Sequence, residues 1–131
     1  MRLLLDTNIL IPIARRKLSQ IKGEIRSAFQ GGDNELIISV VSLWEIAIKF
    51  RIDKLDVKIE ADDLPPLLAE FGMDLIVIEA AHVLADLNVN VDTRDPFDRL
   101  LLAQCQVENL RLVTVDPKLV AHPLTWRASS I

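Results

Sequence analysis

The sequence predicts an α/β domain: a parallel sheet of four to five strands with helices covering both faces. Two observations carry that reading. Four short apolar runs, Arg2–Leu5, Leu36–Val41, Leu75–Ile78 and Arg111–Val115, are continuous and rich in leucine or β-branched residues. They do not alternate, which is the pattern of strands buried on both faces. Helix-length amphipathic segments separate them, and strand–helix alternation of this kind builds three α/β/α layers.

Taken in order, Arg2–Leu5 is the first strand and Ile9–Lys17 the first helix. MRLLLDTNILIPIARRK resembles a signal peptide only faintly. Asp6 and Asn8 interrupt its apolar region, and basic residues follow where a small-residue cleavage site belongs. Ile21–Gln30 is the second helix, and Gly31-Gly32-Asp33-Asn34 is the loop into the second strand. Leu43–Arg51 is the third helix, with Ser42 and Glu45 reading as an S-x-x-E capping box at its start. Leu64–Phe71 is the fourth, closed by Gly72 as its C-terminal glycine. Ala80–Leu87 and Phe97–Glu108 are the fifth and sixth, and Leu124–Trp126 is the candidate for a fifth strand.

Composition narrows the function. The 131 residues suit one domain, 1–131, and 50% hydrophobic content is enough for a core. A single cysteine, Cys105, excludes an internal disulfide and suits a reducing compartment such as the cytoplasm. In its helix it reads as packing. No apolar run reaches the roughly 18 residues of a membrane span. His82 and His122 stand far apart without companions, so they form no zinc cluster and read as solvent-facing. The net charge of −4 speaks against a nucleic-acid partner at first. Yet committing five of the 19 acids to a metal leaves 14 acids facing 15 bases, so net charge does not decide the matter.

The acids are distributed unevenly. In open parallel sheets, ligands bind at the carboxyl ends of the strands. Asp6 follows the first strand in LLLDTNIL, Glu45 opens the third helix in SLWEIAIK, Asp95 and Asp98 open the sixth in RDPFDR, and Asp116 follows the fourth strand in LVTVDPKL. Each has a plain structural role. Asp95-Pro96 and Asp116-Pro117 pair a cap with a proline, and Asp98 complements the helix dipole. Asp6 is not needed as a cap while Thr7 and Asn8 stand ready, and Asp98 exceeds what a helix already capped by Asp95 requires. Serine, threonine or asparagine caps as well as aspartate, whereas carboxylates gathered at one edge repel and raise one another's pKa. A divalent cation removes that penalty, and hard oxygen ligands suit Mg²⁺ or Mn²⁺.

LLLDTNIL, SLWEIAIK, RDPFDRLLLAQ and LVTVDPKL, in this order and spacing, resemble the PIN-domain family, in particular its VapC-type toxins of bacterial toxin–antitoxin pairs. RDPFDRLLLAQ and WEIAIKFRIDKL are the most specific pieces of a match covering nearly the whole chain. The resemblance implies a small three-layer α/β/α domain that cleaves RNA with Mg²⁺ or Mn²⁺. It places the acidic quartet at Asp6, Glu45, Asp98 and Asp116, with Asp95 as a fifth acid that assists. Asp6 and Asp98 are the expected direct ligands, and Thr7 or Asn8 would steady a ligand or a water. It further implies a homodimer silenced by a small antitoxin protein. The chain departs from the pattern at Thr93, near which relatives with this motif often carry histidine, and at Asn8, where that subgroup commonly has histidine. Those departures bear on the choice of RNA and leave the ligand set intact.

An RNA backbone also needs cations. Arg15, Arg16 and Lys17 form the densest basic cluster, although a helix C-terminus favours such charge by itself. Lys49 stands four residues past Glu45 and pairs with it on a helix, so Arg99, next to Asp98, is the better substrate contact. Trp44 and Trp126, in apolar surroundings, read as core or dimer contacts rather than stacking platforms. Two other classes compete. A receiver-like phosphoacceptor domain needs an acidic pair after the first strand and an aspartate ending the third, where this chain has only Asp6 and then Glu79. An inactive binding module would not need the whole quartet.

Overall fold

The computed structural model describes residues 1–15, 17–21, 23–30, 32–51 and 61–127. Four strands, β1 (Arg2–Leu5), β2 (Glu35–Ser39), β3 (Asp74–Ile76) and β4 (Arg111–Val113), pair in parallel in the order β3-β2-β1-β4. Among the described residues six helices connect them: α1 (Thr7–Ala14), α2 (Gly23–Gln30), α3 (Val40–Arg51), α4 (Leu64–Glu70), α5 (Ala80–Leu84) and α6 (Pro96–Glu108). Single 3-10 turns lie at Leu18–Gln20 and Ala61–Asp63. The expected α/β class with helices on both faces is what the chain forms.

The strand pleat divides the core. Leu3 and Leu5 point to one face, where they pack with Ile9 and Ile13 of α1, Ile25 of α2 and Leu68 of α4. Leu4 and Ile37 point to the other, against Leu101, Leu102 and Cys105 of α6. Successive side chains of a strand alternate sides, so continuous leucines in β1 fill two cores at once. Each such leucine, fully withdrawn from water, contributes roughly 1.5–3 kcal/mol. Burial raises the Cys105 thiol far above its ordinary range, so this residue packs, as the sequence indicated.

Several boundaries moved for identifiable reasons. α3 springs directly from β2 at Val40, so Val40 and Val41 leave the strand predicted through Val41. The Val41 N–H donates to Ser39 Oγ at 3.0 Å. Ser42 therefore lies inside the first helical turn and Glu45 in the second, and the S-x-x-E capping box does not form. α1 begins at Thr7 because Asp6 is its cap after all, with Oδ1 accepting from the Thr7 N–H at 2.8 Å. Gly72 closes α4 as expected, at φ 75°, which glycine adopts without strain. The fifth strand reduces to one parallel bridge, Leu112 with Thr125. Arg16, Gly31 and the stretch 52–55 of WEIAIKFRIDKL lie outside the described residues.

Both histidines are buried, which corrects their expected exposure. His82 Nδ1 accepts from the Glu79 N–H at 3.0 Å and its Nε2 lies 2.9 Å from Glu108 Oε1, joining α5 to α6. His122 Nε2 lies 2.9 Å from the Val89 carbonyl, and its Nδ1 accepts from the Leu124 N–H. Among the described residues, no helix is long and apolar enough to cross a membrane.

Candidate functional site

The sheet order sets where a ligand can enter. The chain leaves β1 toward β2 on one side and returns to β4 on the other, so the carboxyl end of β1 is a topological switch point. Asp6 is the first residue past that end. Its backbone N–H donates to the Val113 carbonyl of β4 at 2.9 Å, and its side chain is 2% exposed. Asp6 Oδ1 caps α1, and Asp6 Oδ2 accepts a 2.6 Å hydrogen bond from Thr114 Oγ1, just past β4.

Asp98 comes to the same edge from α6. Asp95 is the N-cap of that helix, its Oδ1 accepting from the Phe97 N–H at 2.8 Å, with Pro96 in the first turn. Asp98, three residues into the helix sequence from its cap, is only 7% exposed and accepts from Thr93 Oγ1 at 3.3 Å. Asp116 is half-buried; its Oδ1 accepts from the Lys118 N–H at 2.9 Å, and its cap-and-proline pair opens a run of turns. Glu45 is half-buried on α3 and paired with Lys49 Nζ at 3.2 Å, as the i,i+4 spacing predicted.

Electrostatics tie these acids together. Burial is the main reason the Asp6 carboxyl is pushed up to about 6; hydrogen bonds from Thr114 and Thr7 oppose the rise, and repulsion from Glu45 and Asp116 adds to it. Asp98 is also pushed up to about 6, first by burial and then by repulsion from Asp95, Asp6 and Asp116. All five acids singled out in the sequence therefore belong to one electrostatic group. Among the described residues, no three or more His, Cys, Asp or Glu side chains are arranged to hold a metal ion as they stand. The coupling runs through space, not through shared ligation.

The remaining candidates divide. Thr7 is buried and donates its hydroxyl to Ser42 Oγ at 2.9 Å, pinning the start of α1 to α3. Asn8 is exposed and lines a small cavity of about 80 Å³ with Pro12, Gln20 and Val115. Arg99 lies in a separate cleft between α5 and α6, with Val83, Pro96 and Leu100, and not in an ion pair with Asp98. Trp44 is 54% exposed and meets Phe97 edge to face, with centroids 5.1 Å apart. Thr93 and Thr114 went unnoticed in the sequence as partners of Asp98 and Asp6. Their signal is a repeated tetrapeptide, Thr93-Arg94-Asp95-Pro96 and Thr114-Val115-Asp116-Pro117.

In parallel α/β folds ligands bind at such a switch point, and here Asp6 and Asp98 lie buried beside it. The chain belongs to the PIN domain family, whose model matches residues 3–123; PIN domains are generally nucleases. Two solved structures are similar in fold. A toxin–antitoxin complex from Klebsiella pneumoniae is 19% identical at a TM-score of 0.61, covering 98% of each chain. VapBC2 from Rickettsia felis, bound to a DNA fragment from its promoter, is 18% identical at a TM-score of 0.57, covering 95% of this chain and 96% of that one. No curated protein shows significant sequence similarity.

Proposed function

We propose that the chain, as one PIN domain over 1–131, is a Mg²⁺- or Mn²⁺-dependent endoribonuclease and the toxin of a toxin–antitoxin pair. The observation that carries this reading is a cation deficit. Asp6 and Asp98 are both raised to about 6 by burial and by neighbouring carboxylates. The one ion pair reaching the group among the described residues is Lys49 with Glu45. Hard oxygen donors short of positive charge match a small divalent cation.

In this reading Asp6 and Asp98 hold the cation directly, Asp116 and Glu45 complete the site, and Asp95 acts chiefly as a cap. The cation, when bound, supplies activation of water and neutralises charge on the scissile phosphate. Thr7 holds the base of α1 against Ser42, which keeps Asp6 at the strand end. Arg99 is exposed but faces the cleft between α5 and α6, so in this reading it meets the RNA backbone beside the acidic edge and not within it. The toxin assignment draws on family membership and on likeness in fold to toxin–antitoxin proteins. It carries with it an antitoxin partner, a homodimer and action in the cytoplasm. The test is RNA cleavage by the purified chain with Mg²⁺ or Mn²⁺, before and after chelation. Cleavage that stops with chelator and returns with metal is expected; undiminished cleavage after thorough metal removal overturns the proposal.

A further inference from the structure

A cavity of about 270 Å³ opens beside the acidic edge, between the start of α2, the end of β4 and the segment Thr125–Arg127. It falls just below the roughly 300–1,000 Å³ of pockets for drug-sized ligands, so it suits one small planar group. Thr114 is the shared wall: it lines the cavity and donates to Asp6 Oδ2 at 2.6 Å. A nucleotide with its phosphate at the strand ends has its base within reach of this space.

The lining divides by what it can offer a ligand. Ile25, Thr114 and Thr125 are buried and form the floor. A hydroxyl has a single hydrogen. Thr114 gives its own to Asp6, and Thr125 gives its own to the Leu119 carbonyl at 2.7 Å. Trp126 is half-buried; it packs against the core, as its apolar surroundings indicated, and lines the cavity as well. An indole is a platform on which any base stacks. Polar recognition falls to Glu24 and Arg127, both exposed at the rim. Arg127 Nη2 donates to the Val120 carbonyl at 3.2 Å, which steadies the guanidinium and leaves its other N–H groups to donate elsewhere.

We infer that this cavity takes a guanine base of the RNA substrate, stacked on Trp126 and read by Glu24 and Arg127. Guanine carries adjacent acceptors, O6 and N7, which an arginine fork fits. Next to them stand its N1 and N2 donors, which a carboxylate accepts. Adenine puts an N–H donor where guanine has O6, so it would meet the arginine donor to donor. The inference rests on the ribonuclease reading and names a base preference within it.

The experiment is a calorimetric titration of the full chain, in chelator, with the monophosphates of guanosine, adenosine, cytidine and uridine. All four share ribose and phosphate, so their ranking reads the base. Wild type is compared with Glu24→Gln, Arg127→Ala, Trp126→Ala and Trp126→Phe, with melting temperatures measured in parallel. A bidentate base contact or a stacked base is each worth roughly 5- to 150-fold in affinity. Guanosine monophosphate should bind tighter than the other three by a factor in that range. Glu24→Gln and Arg127→Ala, both surface changes, should lose that preference at an unaltered melting temperature. Trp126→Ala should weaken all four nucleotides alike. Trp126→Phe keeps an aromatic face, folds if alanine does not, and should restore most of the binding. Equal binding of the four, no saturable binding of guanosine monophosphate, or a preference unchanged in Glu24→Gln and Arg127→Ala overturns the inference and leaves metal-dependent RNA cleavage standing. Guanine preference in a wild type that cleaves no RNA with metal overturns the nuclease reading, and with it the cavity's assignment as a substrate subsite.

Discussion

Replacing Asp6 by asparagine should stabilise the metal-free protein near neutral pH, although the residue caps a helix. The Asp6 carboxyl rises from 3.8 to about 6 on folding. At about 1.4 kcal/mol per tenfold change in proton affinity, ionised Asp6 costs the folded state roughly 3 kcal/mol. The sign follows from linkage. The folded state binds this proton more tightly than the unfolded state. The stability it contributes is complete below pH 3.8 and is lost as pH rises through about 6. Asparagine carries no charge, and its side-chain oxygen can keep the 2.8 Å cap on the Thr7 N–H. It cannot reproduce the carboxylate that accepts from Thr114, a loss of about 1 kcal/mol or more. The difference is a net gain of roughly 1–2 kcal/mol at about pH 7.5, shrinking to zero or a small loss near pH 4. The assay is urea unfolding of wild type and Asp6→Asn at both pH values with chelator present. Asp6→Asn less stable than wild type at about pH 7.5, or a difference that ignores pH, refutes the reasoning.

Other outcomes follow from the same geometry. Asp95→Asn keeps the cap on Phe97, so it should fold normally and retain activity to within roughly 10- to 100-fold, measured by RNA cleavage beside a thermal melt. His82→Leu removes the acceptor of the Glu79 N–H and the partner of Glu108; it should cost about 1–3 kcal/mol in denaturant unfolding, and unchanged stability would show that the link between α5 and α6 is idle. Leu68→Ala opens a cavity in a fully buried position and should cost about 2–5 kcal/mol by the same measurement, with loss below 1 kcal/mol contradicting its place in the core.

The sequence made the layers legible because leucine-rich runs such as Leu3-Leu4-Leu5 leave few options besides a strand buried twice. It was less informative where one element runs into the next. Val40 and Val41 have strand-like side chains, yet they open α3, because the preceding Ser39 hydroxyl takes the Val41 N–H and no turn residue marks the junction. By local pattern Thr7 and Asn8 suffice to cap α1 without Asp6. Thr7 is instead turned toward Ser42, a partner 35 residues away. The histidines are buried by equally distant partners: Glu108 lies 26 residues from His82, and Val89 lies 33 from His122. Local pattern shows which residues can cap or pack. It does not show which distant group a polar side chain will find. Asp6, Asp95 and Asp98 were legible because each follows a strand or opens a helix, whereas Glu45 lies in the second turn of α3. Their threonine partners were not, since Thr114 and Asp6 lie 108 residues apart.

Asp98 keeps its shape as asparagine but loses the charge that, in the proposed site, would hold the cation together with Asp6. The decisive measurement is single-turnover RNA cleavage in Mg²⁺ or Mn²⁺ by wild type and Asp98→Asn side by side, each repeated with chelator. Strong metal-dependent cleavage by wild type and nearly none by a folded Asp98→Asn is the predicted result. Metal-dependent cleavage that persists in Asp98→Asn at the wild-type rate would contradict it.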